Sequence, residues 1–535
     1  MQKQTLDHQE VEWQFEAADL DLVGNWLEEH PTASGLAVVP DATRELLDTY
    51  YDTEDWRFYR AGYALRVRRD GERLEATMKS LTPAGGALRQ RREISEPLEG
   101  KTPKGCRGPV GERVRRLAGA RDLRPLFEIH TRRRTFALRP ERSSANGVVE
   151  DASGNIRQHG RERTLGEVAL DETEISGEAP TRLSRIEVEV ASDAGLEEFV
   201  DELRDALELR PTATSKFRSG LSAAGLKPEA ALDLGPTQVD ASMSAGEVAF
   251  AVLRRHFAAM LAYEPGVRLG EDPEDLHDMR VATRRLRATL KLYADALPKR
   301  AGRYERDLRY VANALGEVRD LDVHLDRLTG EASRDGEVLE EVVAVLEERR
   351  VEARRRMLET LDSNRYERFI PGFSGTLRRG RNPAPTRSIL EDAPDLVRRR
   401  YKKVRKAADG LAEDSPPQQF HDLRKKSRRL RYALEPLQEI YGKPAKKMVK
   451  LLKRLQDDLG EHQDLVVATK LMEELGSDGD LPPRTVFSMG SMAGRYTRDT
   501  AKMRTDFLGS KALHALRRGK RWKKLRREMK EKVGG

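Results

Sequence analysis

One phrase is written twice in this chain. His277-Asp-Met-Arg-Val-Ala-Thr-Arg-Arg-Leu-Arg287 returns as His421-Asp-Leu-Arg-Lys-Lys-Ser-Arg-Arg-Leu-Arg431, 144 residues later. A second phrase, Leu315-Gly-Glu-Val-Arg-Asp-Leu321 and Leu459-Gly-Glu-His-Gln-Asp-Leu465, keeps the same 144-residue offset. Two phrases held at one offset mark an internal duplication, so whatever the first copy folds into, the second must fold into as well. The period within each copy is helical, because apolar residues recur three and four positions apart. The same spacing predicts helices over Ala249–Leu261, Leu276–Ala294, Tyr304–Leu315, Val338–Leu361, Phe420–Leu437 and Lys446–Leu459, with almost no strand signal between them. Arg378–Thr386, with Pro383 and Pro385, reads as the join between the two repeats.

Ahead of about Leu221 the period is two. Glu10–Glu16, Tyr63–Arg69, Glu128–Phe136, Glu167–Asp171 and Arg185–Val190 alternate charged with apolar residues, and turns containing Gly and Pro separate them. Leu196–Leu207 is the clearest helix in this part. A Pro/Gly/Ala-rich stretch then separates the two regimes. The division is therefore 1–224 for a strand domain, 225–241 for a linker, 242–520 for a helical domain with repeats of about 242–380 and 387–520, and 521–535 for a basic tail.

Charge narrows the partner. Lys and Arg number 98 against 90 Asp and Glu, so the excess is small and local clustering carries the information. The single Cys106 excludes an internal disulfide and a cysteine-built zinc site, which fits a reducing cytoplasm. No apolar stretch approaches membrane-spanning length, and the first residues lack a signal-peptide core, so a cytoplasmic protein without a membrane partner is expected.

The polar faces of the strands are unusual. Glu10, Glu12 and Gln14 share one face, Arg66 and Arg68 another, then Thr77 and Lys79, Arg91 and Glu93, Glu128 through His130 to Arg132 and Arg134, Glu167 and Asp171, and Glu187 and Glu189. A few charges on one strand are an ordinary solvated face. Seven strands offering Arg pairs or Glu pairs suggest a sheet curled into a barrel with those faces inside. Arg binds phosphate oxygens bidentately and stays protonated, while paired Glu side chains supply the hard oxygen ligands that Mg²⁺ or Mn²⁺ prefers.

In their order, Glu10-x-Glu12, Tyr51-Asp-Thr, Leu65-Arg-Val-Arg68, Thr77-Met-Lys79, Gln90-Arg-Arg-Glu93, an Arg-x-Arg strand, Leu170-Asp171, Glu187-Val-Glu189 and Ser215-Lys216 resemble the CYTH family of triphosphate tunnel metalloenzymes. The resemblance covers residues 5 to 222 and implies an eight-stranded antiparallel β tunnel that hydrolyses a triphosphate-containing substrate with a divalent metal. It implies that Arg66, Arg68, Lys79, Arg91, Arg132, Arg134 and Lys216 hold phosphates, and that Glu10, Glu12, Glu187 and Glu189 hold metal and carry the catalysis. One departure stands out: the family signature is Glu-x-Glu-x-Lys, and here the fifth position is Gln14, which can hydrogen-bond but brings no charge.

On a helix, His277, Arg280, Arg284, Arg287 and Lys291 form one basic stripe, and His421, Arg424, Arg428 and Arg431 repeat it with Lys425 added. An isolated stripe of this kind is ordinarily a solvated face. Two copies argue for an anion, since like charges at this spacing repel by a few tenths of a kcal/mol, or about 0.2–0.5, per pair unless neutralised. The Leu-Gly-Glu phrases are ambiguous from the sequence; one reading is structural, with their acids pairing with the basic helices. This half resembles the CHAD family, an all-helical domain found beside CYTH domains, over roughly 242 to 520. What that implies is two pseudo-symmetric four-helix bundles whose basic helices bind inorganic polyphosphate.

The expected architecture is thus α+β and multidomain: a CYTH tunnel followed by an all-α duplicated CHAD domain. The leading functional reading is hydrolysis of inorganic triphosphate or polyphosphate in the tunnel, with the chain captured by the helices. A second is a non-catalytic polyphosphate-binding protein associated with granules, which Gln14 permits. A third is nucleic-acid binding, against which aromatics are only 6% of residues and scarcely interleave with the basic runs. No phosphate loop, dinucleotide fingerprint or His-Glu-x-x-His is present.

Overall fold

Strict alternation in the first unit sends apolar side chains to one face of a sheet and charges to the other, and the sheet closes with its charges inside. In the computed structural model, described residues are 6–29, 36–81, 87–100, 102–140, 164–191, 195–212, 214–335, 340–380, 387–477 and 481–534. The chain divides into two compact units, Met1–Leu232 and Asp233–Gly535, and each is described by itself. The proposed join at Pro383 and Pro385 lies outside the described residues, as do the first two residues of the helix expected from Val338.

In chain order the first unit contains β1 (Leu6–Glu16), α1 (Leu20–Glu29), β2 (Leu36–Asp52), α2 (Arg57–Arg60), β3 (Tyr63–Asp70), β4 (Arg73–Ser80), β5 (Leu88–Pro97) and α3 (Pro109–Ala118). It continues through β6 (Arg124–Pro140), β7 (Gly166–Ile175), β8 (Thr181–Val190), α4 (Glu197–Ala206), β9 (Arg210–Pro211), α5 (Lys216–Ala223) and α6 (Pro228–Leu232). The sheet order is β5-β4-β3-β2-β6-β7-β8-β1, and β5 pairs back to β1, closing an antiparallel barrel of eight strands; the short β9 adds to the end of β1.

The apolar core lies outside this barrel. Phe136 and Leu138 of β6, Val168 and Leu170 of β7, and Ile186 and Val188 of β8 pack beneath Val23 and Leu27 of α1 and Phe199 and Leu203 of α4. Their neighbours Glu167, Asp171, Glu187 and Glu189 therefore point inward. The long β2 carries a bulge: Pro40 pairs with Phe136 but Thr43 with Arg134, so β2 has one residue more than its partner there. Tyr51-Asp52-Thr53 serves a turn, because the buried Asp52 carboxylate accepts from the backbone N–H groups of Thr53, Phe58 and Tyr59 and so holds α2.

The second unit is helical throughout: α7 (Ala245–Leu269), α8 (Pro273–Leu292), α9 (Ala301–Asp335), α10 (Glu340–Asp362), α11 (Asn364–Arg379), α12 (Ile389–Asp409), α13 (Pro417–Leu434), α14 (Gln438–Ser477), α15 (Pro483–Leu508), α16 (Lys511–Arg518) and α17 (Lys520–Gly534). The starts of α7 and α12, and of α8 and α13, are each 144 residues apart, so the sequence offset is a structural one. Ser244 caps α7 and Ser388 caps α12, each accepting from a backbone N–H of the first turn. Where the repeats meet, Ala245 N donates to Arg387 O (2.9 Å) and Ile389 N to Met243 O (3.0 Å), a reciprocal pair that a local two-fold relation requires. One apolar core runs through both repeats, with Phe257, Leu286 and Met357 from the first and Leu430, Leu452 and Val404 from the second. The basic tail is an ordered helix: Leu525 and Met529 of α17 are fully buried in that core. Among the described residues no helix is long and apolar enough to cross a membrane.

Candidate functional site

The barrel encloses a cavity of about 270 Å³ walled mostly by charged side chains. From β1 come Glu10, Glu12 and Gln14; β3 adds Arg66 and Arg68, β4 Lys79, and β5 Arg91 and Glu93. The opposite wall holds Arg133, Glu167, Glu187 and Glu189, and the cap of α5 at Ser215 aims Lys216 of its first turn into the same space. Phe217 follows it inward and stacks with Tyr50 and Phe127, which seats α5 against the barrel.

Each cation is matched to a carboxylate. Arg68 donates to both oxygens of the buried Asp48 at 2.8 Å, and Arg66 lies 3.4 Å from it. Burial works to raise the Asp48 carboxyl, but the two guanidiniums hold it well below the usual carboxylate range. Lys79 rests against Glu10, 3.3 Å from Glu93 and 3.7 Å from Glu12, while Arg91 is paired with Glu12. Arg133 bridges Asp171 (2.6 Å) and Glu187 (2.5 Å), and Lys216 pairs with the same two acids. Burial opposes ionisation of Asp171 and Glu187 too, yet Lys216 and Arg133 keep both carboxyls low.

Glu189 stands apart. Its strand neighbours are Glu12 on β1 and Glu167 on β7. Burial raises its carboxyl and Glu10 raises it further; Glu167 is raised by burial as well. Gln14 sits between the two groups, donating from Nε2 to Glu12 Oε1 (2.9 Å) and Glu187 Oε1 (3.2 Å), while its own Oε1 is buried without a hydrogen bond. A lysine there would have neutralised one of those acids; the amide links them and leaves both charges in place.

The structure corrects two residues. Arg132 is 61% exposed on the outside of the barrel, 4.0 Å from Glu45 and Glu172. Arg134 also faces outward, donating to Leu20 O and Asp21 Oδ1 at 2.9 Å. Arg133, between them, takes the inward place. Charge alone could not set the parity of three consecutive arginines; Phe136 and Leu138 set it, because both must lie beneath the outer helices. Sequence reasoning also missed Asp48, which lies on β2, and the layer beyond Gln14. There Arg89 and the fully buried Arg185 have guanidinium N–H groups without partners, and Arg89 Nη2 donates to Thr212 O (2.8 Å). Their signal was present as Arg89-x-Arg91 and Arg185-x-Glu187 at period two.

Among the described residues, no group of three or more His, Cys, Asp or Glu side chains is gathered closely enough to hold a metal ion in this arrangement. The donor set of Glu10, Glu12 and Glu189 is nevertheless of the hard-oxygen type suited to Mg²⁺ or Mn²⁺, and Glu10 Oε2 is buried with no hydrogen bond, although Lys79 lies against it.

These pairs predict an acid transition. Asp48, Asp171 and Glu187 have depressed carboxyls, so their stabilisation is fully present above a pH of about 4.5 and is lost as pH falls through the folded values. Trp13, Trp26 and Trp56 lie in this unit, and their fluorescence in a urea titration should report falling stability below that pH. Asp48→Asn should flatten the profile and destabilise the barrel at neutral pH by about 3 kcal/mol or more, since Arg66 and Arg68 then lose their shared buried partner.

In the helical unit the two copies of the basic phrase meet, because α8 packs on α13. Arg284 donates to Tyr432 Oη (2.9 Å), and a cavity of about 220 Å³ beside them is walled by Arg284, Arg287, Lys291, Lys425 and Arg428 together with Arg400. Among the described residues Arg284, Arg424 and Arg428 form no ion pair. Burial, then Arg284 and the other arginines, pushes the Arg428 guanidinium down to about 10, and burial lowers Arg424 also. The outer members are neutralised: Arg280 by Asp320 (3.0 Å), Arg287 and Lys291 by Glu305 (3.1 and 3.0 Å), Arg431 by Glu435 (2.9 Å). His277 and His421 hold equivalent places in the opening turns of α8 and α13; burial and Lys425 lower His421.

The Leu-Gly-Glu phrases explain themselves here. A Cβ on Gly460 would crowd the Arg424 guanidinium at 3.3 Å, so that glycine lets Arg424 lie close across the neighbouring helix; Gly316 faces Arg280 in the same way at an ordinary 3.8 Å. Asp320 and Asp464, at the ends of the phrases, face Arg280 and Arg424.

A closed β tunnel of inward charges followed by a duplicated helical unit with clustered arginines defines a two-domain protein. Comparison with known families matches a CYTH domain at residues 8–221 and a CHAD domain at residues 251–473. The chain thus contains an N-terminal CYTH domain and a C-terminal CHAD domain. It is 30% identical over 224 residues to uncharacterized proteins from two strains of Mycobacterium tuberculosis, a match covering 39% of this chain and 42% of theirs. Among solved structures, the CHAD domain from the plant Ricinus communis is 27% identical, covering 53% of this chain and 96% of that one, with a TM-score of 0.46. PptA from Streptomyces chartreusis is 18% identical (50% and 98% covered, TM-score 0.40). HpAC1 from Hippeastrum, described as having a dominant triphosphatase activity, is 14% identical (41% and 99% covered, TM-score 0.29).

Proposed function

We propose that the barrel hydrolyses phosphoanhydride bonds of inorganic triphosphate or polyphosphate, and that the helical unit captures the polyphosphate chain. The observation that carries this reading is the gathering, around one cavity, of Arg66, Arg68, Lys79, Arg91, Arg133 and Lys216 together with Glu10, Glu12 and Glu189. Phosphoryl transfer asks mainly for positioning and for neutralisation of oxygen charge, and this wall supplies cations on several sides of one space. Mg²⁺ or Mn²⁺ held by Glu10, Glu12 and Glu189, with Glu187 joining if Arg133 and Lys216 turn to the substrate, would neutralise phosphate oxygens and orient water. Arg66 and Arg68, shared with Asp48, and Lys79, shared with Glu10 and Glu93, fix the phosphates by exchanging carboxylate oxygens for phosphate oxygens.

The test is phosphate release from tripolyphosphate by the intact chain with Mg²⁺ and with Mn²⁺; no release with either metal sinks the hydrolytic reading. Gln14 favours a second reading, a polyphosphate-binding protein whose tunnel holds without cutting. Release by Gln14→Lys but none by the parent would select it. Association with polyphosphate granules belongs to the capture role under either reading. Nucleic acid is separated from polyphosphate by measuring both at equal salt, because both give steep salt dependence and only the ratio is informative.

Capture should also be coupled to protons. Burial and Lys425 lower His421, and an adjoining polyanion favours its charged form. Polyphosphate binding should therefore take up a proton and tighten severalfold as pH falls from about 7.5 to about 5.5, a dependence that His421→Gln removes; calorimetry in two buffers of different ionisation enthalpy reads it directly.

A further inference from the structure

The tail helix builds a second basic groove. Trp522 of α17 stacks on Tyr401 of α12, with ring centroids 4.3 Å apart and planes within 14°, and Leu525 and Met529 are fully buried. With that face anchored, Lys520, Arg521 and Lys524 are brought opposite Lys447, Lys450 and Arg454 of α14, across a hollow of about 500 Å³ closed at one end by Pro444. No acid lines it, and among the described residues none of the six cations makes an ion pair. Arg521 Nη1 lies 3.4 Å from Lys447 O, tying one wall to the other.

The equivalent place in the first repeat carries different side chains. Positions 144 earlier are Arg303, Arg306 and Tyr310. There Arg303 donates to Tyr304 Oη (2.9 Å), and Arg365 lies over the Tyr310 ring while donating to Asp307 (2.8 Å). The duplication has diverged at this point: where the first copy has Arg303 on a tyrosine hydroxyl and an aromatic ring at Tyr310, the second has three cations facing three more from α17 across a common space.

We infer that this groove between α14 and α17 is a second docking site for a long inorganic polyphosphate chain, separate from the α8/α13 arginines. The inference rests on the reading that the helical unit takes polyphosphate. A row of point cations without acids suits a flexible chain of equivalent phosphates. Nucleic acid would want exposed aromatic platforms, and the one aromatic ring of α17 is stacked on Tyr401. An acidic membrane would want a row of apolar side chains free to insert, whereas Leu525 and Met529 of α17 are buried and Val533 alone, at its far end, is exposed.

Three forms of the intact chain decide it: Lys450→Glu/Lys520→Glu/Lys524→Glu in the groove, Lys523→Glu/Arg526→Glu/Lys530→Glu elsewhere on α17, and Arg284→Glu/Arg428→Glu at the central site. The groove variant should bind long-chain polyphosphate at least tenfold more weakly than the parent, with a salt slope shallower by roughly 0.7 per lost contact. The charge-matched variant elsewhere on α17 should bind like the parent. Equal losses in those two variants, or none in the groove variant, overturn the inference. So does duplex DNA binding more tightly than polyphosphate at the same salt, or cosedimentation with phosphatidylglycerol vesicles, if either depends on the groove. Unchanged long-chain binding by the central-site variant would instead defeat the capture role of α8 and α13 and leave the groove standing.

Discussion

Glu12→Gln in the intact chain is expected to lower phosphate release from tripolyphosphate by about a thousandfold or more, equivalent to about 4 kcal/mol of barrier. Glu12 is where the tunnel's interactions converge: Arg91 is paired with it, Lys79 lies 3.7 Å away, and Gln14 donates to it at 2.9 Å. Gln keeps the shape and removes the charge, so the hard-oxygen set of Glu10, Glu12 and Glu189 loses an anionic donor while the barrel wall stays filled. Substrate affinity should fall little, because Arg66, Arg68, Lys79, Arg133 and Lys216 remain. Release within threefold of the parent would remove Glu12 from the catalytic set. A general loss of folding is excluded by tryptophan fluorescence, since three of the four Trp residues lie in the first unit.

The second large effect belongs to the meeting of α8 and α13. Arg284→Glu with Arg428→Glu should weaken long-chain polyphosphate binding by about a hundredfold or more while tripolyphosphate hydrolysis is unaffected. Arg428→Met carries the sharper contrast. Arg428 is pushed down to about 10 by burial and by Arg284 and its neighbours, so the ligand-free protein carries a repulsion that Met relieves. The variant should melt higher than the parent without ligand, by about 1 kcal/mol, and respond less to added polyphosphate. A variant that melts lower in both conditions would make Arg428 a structural residue.

Much of this was legible in the chain because two periods do not resemble each other. The repeats announced themselves through His277 and His421, and the inward Glu10, Glu12, Arg66, Arg68 and Lys79 could be placed by alternation alone. The failures have equally local causes. Arg132, Arg133 and Arg134 hide parity because every position carries the same charge, and only the demand of Phe136 and Leu138 for a dry outer face resolves it. β2 escaped because Pro40 and the bulge at Pro40–Thr43 break the alternation before it resumes, so Asp48, the shared partner of Arg66 and Arg68, escaped with it. The tail was read by its charge, whereas Trp522, Leu525 and Met529, spaced three and four apart, are what fix it as a helix. What no period could give was the pairing of the two basic phrases across the unit, since that depends on how the duplicated halves meet.

That meeting has a consequence for what can be read. Ala245 and Ile389 exchange hydrogen bonds with Arg387 and Met243 as two-fold mates, so Arg284 and Arg428 belong to copies facing one another in opposite senses. At its centre, where Arg284 and Arg428 meet, a site of this kind has no preferred direction. Nucleic acids and peptides run one way and would fit only one half of it well, but a polyphosphate chain is the same read from either end. If the proposed capture holds, such a chain can lie across α8 and α13 in either sense and meet Arg284 and Arg428 both ways, so a chain arriving backwards is held as well as one arriving forwards.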